Sequence, residues 1–233
     1  MLSLSVVIPA WNEEGLIARA VHSVREEAEV LVVDGGSQDR TCAVAAAAGG
    51  RVLSAPRGRG PQLDRGAREA RGHWLVFLHA DTRLEAGWAD ELRALGAGED
   101  EDDDAVVGGA FRFAVDAPQP AYRLLERAVA LRCRLFRLPY GDQALFARRE
   151  AYARVGGFPP LPLMEDVAFV RRLGRAGRLA FPRARAFTSP RRWERGGLLR
   201  TSARNAWLLT QYGLGRAPER LAQRYRSGPE GLR

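Results

Sequence analysis

Three acidic residues stand where short apolar runs end, and they are the part of this chain best suited to chemistry. VFLHADT, Val76 to Thr82, carries a buried-strand pattern into a loop and leaves Asp81 near its end. An amino-terminal run closes in PAWNEE, Pro9 to Glu14, which supplies Glu13, and a second run closes in VVDGGSQD, Val32 to Asp39, which supplies Asp34. Open α/β sheets bind ligands outside the carboxyl ends of their strands. Carboxylates gathered there suit a nucleotide and a hard divalent cation, which takes one or two carboxylates and fills its shell with diphosphate oxygens. Downstream, APRGRGPQLDRGA (Ala55 to Ala67) sets glycines, Arg57, Arg59 and Arg65 around a helix start, where backbone N–H groups and guanidinium forks meet phosphates. MED, Met164 to Asp166, offers Glu165 and Asp166 either as the opening acids of a helix or as a general base within reach of an acceptor hydroxyl. Spacing alone leaves both readings open.

The elements that must position these residues alternate. Leu4 to Ile8, Val30 to Val33, Val52 to Leu53 and Trp74 to Leu78 read as strands, and their almost unbroken apolar character is that of a sheet covered on both faces. Glu14 to Glu27, Asp39 to Ala48 and Pro61 to Arg71 read as the intervening helices, the second capped by Ser37 or Asp39 and stopped by Gly49 and Gly50. Beyond them the pattern predicts a strand with a glycine bend over Ala105 to Val115 and a basic helix over Gln119 to Phe136. Helices follow over Glu165 to Arg175, Leu198 to Tyr212 and Pro218 to Tyr225. The acidic run Glu99 to Asp104 lacks the alternating ligands and glycine of a calcium loop and reads as solvated.

Composition removes several classes. The chain has 233 residues, enough for one α/β domain with a sizeable core, and a net charge of +8 in which every basic residue is Arg. Without Lys there is no Walker A loop and no Schiff-base chemistry. Cys42 and Cys133 lack metal spacing and read as thiols of a reducing, cytoplasmic setting. His22 and His73 have no Cys or His partner at zinc spacing and read as surface or packing residues. No apolar run reaches the roughly 20 residues of a spanning helix, and the first strand has no basic leader.

Taken in order, PAWNEE, VVDGGSQD, GHWLVFLHADT, YGDQALFARR (Tyr140 to Arg149) and MEDVAFVRRL (Met164 to Leu173) resemble the motifs of the family 2 glycosyltransferases with a GT-A fold, over roughly residues 3 to 195. The resemblance implies an α/β, GT-A-like single domain with a mostly parallel, Rossmann-like sheet flanked by helices. Its nucleotide-binding half would be about 1–96 and its acceptor half about 105–195, with 196–233 a helical carboxy-terminal extension packed on it. It implies sugar transfer, with inversion, from a nucleoside-diphosphate sugar, a UDP-sugar favoured. Pro9, Ala10, Glu13 and Asp34 would hold the nucleoside and Arg59 the phosphates. HAD, His79 to Asp81, stands where the family has its DxD metal motif: Asp81 would hold Mn2+ or Mg2+, and His79 replaces the first carboxylate, which lowers the charge offered and favours the softer Mn2+. The family's ED motif makes Asp166 the general base. Asp142, Gln143, Glu165, Arg192 and Trp193 would face the acceptor or the donor sugar. Asp64 stands where the family commonly has Asn, and RRWERGG (Arg191 to Gly197) lacks the Gln of the processive Gln-x-x-Arg-Trp pattern, so processivity is disfavoured.

Two rivals accompany this reading. A sugar nucleotidyltransferase shares the nucleotide-binding half but needs a Gly-rich opening loop with Arg and Lys, where this chain has PAWNEE. A catalytically silent nucleotide-sugar-binding module would keep the fold while His79 spoils the metal site. Nucleic acid is not indicated, because the arginines are spread along the chain with no recognised module. The acceptor is open, a lipid-linked one included. Leu198 to Tyr212, rich in Leu, Trp and Arg, either packs on the domain or makes a peripheral contact with the inner face of the membrane.

Overall fold

The computed structural model describes residues 2–97 and 105–226, so the acidic run Glu99 to Asp104 lies outside the described residues. The first half builds as the alternation predicts. β1 (Leu4–Ala10), β2 (Glu29–Asp34), β3 (Arg51–Ser54) and β4 (Trp74–Phe77) are parallel and are connected by α1 (Ile17–His22), α2 (Thr41–Ala47) and α3 (Arg59–Glu69). β-branched residues recur in these strands because both faces are buried: Val6, Ile8 and Val32 pack into one apolar layer, and Val7, Leu31 and Val33 into the other.

After β4 come β5 (Thr82–Leu84), α4 (Trp88–Ala97), β6 (Val106–Ala110) and β7 (Arg112–Val115), then α5 (Pro120–Phe136). A one-turn helix at Gly141–Gln143 precedes β8 (Leu145–Arg148), α6 (Arg149–Arg154) and α7 (Glu165–Ala176). β9 (Arg178–Ala180), β10 (Arg185–Thr188), α8 (Arg191–Gly196), α9 (Leu198–Gly213) and α10 (Pro218–Arg226) complete the chain. The main sheet has seven strands in the order β3-β2-β1-β4-β8-β6-β9, and among the described residues β8 alone runs against its neighbours. The expected α/β architecture with a mostly parallel sheet flanked by helices is therefore present.

Two expectations need correction. Ala105 to Val115 is not one bent strand: the chain breaks at the buried Phe111, so that β6 joins the main sheet while β7 pairs with β10 in a second, three-stranded sheet, β5-β10-β7. The first helix is shorter than Glu14 to Glu27, because the PAWNEE loop is tied down first. There the backbone N–H groups of Glu13 and Glu14 donate to Thr41 Oγ1 and Asp39 Oδ2, and the helix begins only at Ile17.

The glycines of β6 set how closely its neighbours approach. A methyl group at Gly109 would stand 1.8 Å from the Ala180 carbonyl oxygen on β9 and 2.8 Å from the Phe146 ring. Backbone cannot yield as a flexible side chain does, so Gly109→Ala overpacks the sheet, and such changes cost about 1–3 kcal/mol. Urea unfolding of the variant should show a lower midpoint of that size, and an unchanged midpoint would mean that β9 is not seated as described.

Candidate active site

The site forms where the carboxyl ends of β1 and β4 face the amino-terminal end of α7. β1 delivers Pro9 and Ala10, both buried, and then the Asn12 turn, whose φ of 53° puts Glu13 on the loop above the sheet. β4 ends at Phe77, and His79 and Asp81 follow in the loop to β5. Arg191, at the start of α8, joins the two loops. Its Nη2 donates to Glu13 Oε1 at 2.5 Å and to Asp81 Oδ2 at 3.0 Å, and its Nε reaches Asp81 Oδ2 at 3.2 Å. All three side chains are largely buried.

Asp34 ends β2 as predicted, but its oxygens are engaged in its own turn. Oδ2 accepts the N–H of Gly36 at 2.9 Å and of Ser37 at 3.0 Å, while Oδ1 accepts the Ser37 hydroxyl at 2.5 Å. In this conformation these bonds shape the β2–α2 loop. Trp11, on the rim of that wall, is covered by the Arg57 guanidinium 3.3 Å above its ring.

On the opposite side, Asp166 is held by backbone. Its Oδ2 accepts the Gly141 N–H at 2.8 Å and its Oδ1 the Val167 N–H at 2.7 Å. Gly141 is the point of closest approach: a methyl group there would lie 2.9 Å from His79 Nε2 and 3.3 Å from Asp166 Oδ2. His79, Asp166 and the Gly141 backbone thus meet around one spot. Arg59, Asp142, Glu165 and Arg192 line the same small cavity of about 90 Å³. Glu165 is buried, with Arg59 Nη1 at 3.5 Å from its Oε1.

The charges follow from this burial. Desolvation, and then the positive charge of Arg59, push the His79 imidazole down to about 3, so it is neutral at physiological pH although Asp81 pulls the other way. Asp81 is lowered: against the burial that raises it, Arg191 and Arg192 hold it ionised. Burial pushes Glu165 up to about 7, with Asp166 adding repulsion and Arg59 opposing. Burial likewise raises Asp142. A neutral imidazole and one carboxylate, two residues apart, are the donors available to a cation, and among the described residues no cluster of three His, Cys, Asp or Glu could cage one. Two such donors fit an ion that completes its shell with phosphate oxygens.

One of the expected sugar contacts is placed elsewhere. Gln143 is buried and acts as a strut: Nε2 donates to the Phe111 carbonyl, while Oε1 accepts from Tyr140 N–H and Arg132. Trp193 packs edge-on against Phe113 and Tyr122, with centroids 5.9 and 6.2 Å away, and lines a larger cleft that adjoins this site. Asp64 is structural as well, bridging the Tyr152 hydroxyl and Arg68. Conversely, Arg191 carried no signal of its own in a chain with 36 basic residues. Asn205 and Tyr225, which the carboxy-terminal helices bring to the cavity, carried none either.

The comparisons with known proteins agree with this geometry. Residues 5–157 match the family described as Glycosyl transferase family 2. The chain belongs to that family. Among curated relatives, the PGL/p-HBAD biosynthesis glycosyltransferase of Mycobacterium bovis is 29% identical over 167 residues, covering 66% of this chain and 62% of its own length, so this family 2 chain spans less than two thirds of that relative. The fold is also that of glucosyl-3-phosphoglycerate synthase from Mycobacterium tuberculosis in complex with Mg2+ and UDP, at TM-score 0.56 and 21% identity over 77% of this chain and 68% of that one. It is shared by a Pyrobaculum calidifontis mannosyltransferase in complex with GDP-Man and Mn2+, at TM-score 0.57 and 21% identity over 78% and 55%. These likenesses establish the GT-A glycosyltransferase fold for the present chain.

Two outcomes test the electrostatics. Arg191→Ala removes the shared guanidinium from Glu13 and Asp81, and the loss of a partner to a buried acceptor costs about 1–3 kcal/mol. In a double-mutant cycle, Glu13→Gln should recover part of that loss, and strict additivity would show that Arg191 does not couple the loops. Glu165 gives the second outcome. Between about pH 4.5 and 7 the folded chain keeps a proton there that the unfolded chain has released, so this group's contribution is full at low pH and declines as pH rises towards 7. Glu165→Gln removes that slope, and the stability gap between variant and parent, read by urea unfolding, should shift in favour of the variant from pH 5 to pH 7.5.

Proposed function

We propose that this chain transfers a sugar from a nucleoside-diphosphate sugar, UDP favoured, to an acceptor hydroxyl with inversion at the anomeric carbon. The observation that carries the reading is the meeting of His79, Asp166 and the Gly141 backbone beside the Arg191-bridged loops. A donor nucleoside lies along Pro9, Ala10, Glu13 and Asp34, with Arg59 and Arg192 directed at its phosphates. Asp166, fixed from below by two backbone N–H groups, takes the acceptor proton as the hydroxyl oxygen attacks the anomeric carbon. The bond from that carbon to the diphosphate oxygen breaks, and the electron pair leaves on the diphosphate. One displacement from the far side gives one inversion.

Asp81 and His79 would hold Mn2+ or Mg2+, which neutralises diphosphate charge when bound. Arg59 and Arg192 stabilise the departing group alongside it. Residues 1–195 form the catalytic domain in this reading, and α9 and α10 cover its acceptor side. No helix among the described residues is long and apolar enough to cross a membrane. Free Cys42 and Cys133 support a reducing, cytoplasmic setting, with any membrane contact peripheral and at the inner face.

Release of nucleoside diphosphate from a panel of UDP- and GDP-sugars, with and without Mn2+, tests the activity. Asp166→Asn should keep UDP affinity and lower turnover by about 10²-fold or more, the range for a lost general base. Asp81→Ala should abolish the Mn2+-dependent part of UDP binding. Turnover within a few-fold of the parent in the Asp166 variant would move the base elsewhere, and UDP binding without turnover in the parent would favour the silent binding module.

A further inference from the structure

A second cavity, far larger than the first, opens from the same site. It measures about 750 Å³, within the range of pockets that enclose small-molecule ligands. It runs between α5, α7 and α9 and shares Tyr140, Asp142, Asn205 and Leu209 with the cavity at Asp166. Along α7 its wall is made by Val170, Arg171, Gly174 and Arg175, a span of about 8 Å at the helical rise.

The lining is apolar in the middle and cationic around it. Leu125 and Val129 of α5, Val170 of α7 and Leu209 of α9 face the space. Arg132, Arg137, Arg171 and Arg175 also line it, against Asp142 as the acidic member. Two buried polar atoms in this lining, Arg132 Nε and Ser202 Oγ, have no hydrogen-bond partner among the described residues. Arg132 is fixed while it waits: its Nη2 donates to Gln143 and its guanidinium lies 3.5 Å above the Tyr140 ring. A buried donor on a charged group is costly when unpaired, so such an atom marks a place for a ligand acceptor.

The outside of the same wall is also apolar. Leu124, Leu131 and Leu135 of α5 are 70, 56 and 64% exposed, flanked by the exposed Arg127 and Arg134. A helix apolar on both faces is ordinarily buried, and an exposed apolar stripe edged by arginines is the pattern of a helix at an anionic interface. α5 thus separates the cleft from an exposed apolar stripe on its own outer face.

We propose that this cleft is the acceptor subsite and that it takes an anionic amphiphile, its apolar body along Leu125, Val129 and Leu209 and its anionic head at Arg132 and Ser202. The inference rests on the transferase reading for its direction, since the nucleophilic oxygen would enter past Tyr140 and Asp142 towards Asp166. It also explains a cleft that a small hydrophilic acceptor would leave mostly unfilled.

Dodecyl phosphate below its critical micelle concentration is the probe, titrated calorimetrically into the full chain, with UDP titrated into the same preparation. One saturable site is expected. Val129→Glu, which puts a carboxylate inside the cleft, and Arg132→Gln should each weaken it at least ten-fold, while Leu131→Glu on the outer face leaves it unchanged. Absence of saturable binding by the parent overturns the proposal, as does equal loss on Leu131→Glu, which would assign the binding to adsorption on α5. Displacement by inorganic phosphate at matching concentration would leave an anion site without an apolar body and overturn it too. Should Val129→Glu lose UDP binding and so prove misfolded, Arg132→Gln decides. UDP binding reads the donor side separately: its failure with dodecyl phosphate still bound removes the transferase reading and keeps the cleft.

Discussion

Glu13 and Asp81 sit on loops leaving adjacent parallel strands, and with nothing between them two buried carboxylates would force those loops apart. The Arg191 guanidinium is what allows them to be neighbours. A planar fork contacts two acceptors at once, which a point charge on a flexible stem does less well. The second sheet, in which β10 pairs with β5 and β7, leads directly into α8 and so positions Arg191. The bridge between these two loops is therefore not made within the first half of the chain. It waits for residues more than a hundred positions further on.

The opposite wall depends on close backbone approach rather than on charge. Gly141 lets the loop before β8 pass against His79 and Asp166, and its N–H orients the carboxylate. Glu165, the neighbouring acid, lines the same cavity and is met by Arg59. Adjacent acids in one MED motif thus differ in their partners: Asp166 has its oxygens tethered by backbone N–H groups, and Glu165 is buried beside a guanidinium with its proton affinity raised.

The first half of the fold was legible because β-branched runs between helical patterns have few alternatives as a parallel sheet, and Asp34, Glu13 and Asp81 could be placed at strand ends from those runs alone. The second sheet was not. Its strands are three or four residues long, and the break at Phe111 is marked only by a single Arg112 in a run that is otherwise apolar through β6 and β7. Gln143 was misread because a polar residue beside a glycine turn looks available, whereas its amide closes bonds to Phe111, Tyr140 and Arg132. Arg191 was invisible for a different reason: its partners are 178 and 110 positions away, and nothing local distinguishes it from Arg192.

The balance of charge gives the site its character. His79 is neutral, Asp81 is already shared with Arg191, and Arg59 is engaged by Glu165. The protein therefore presents little net negative charge to a bare cation and little unopposed positive charge to a bare diphosphate. On the proposed reading each would become favourable in the presence of the other, because phosphate oxygens would supply the charge that His79 does not. A histidine in place of the first carboxylate of the motif would then shift the weight of cation binding from the protein to the donor.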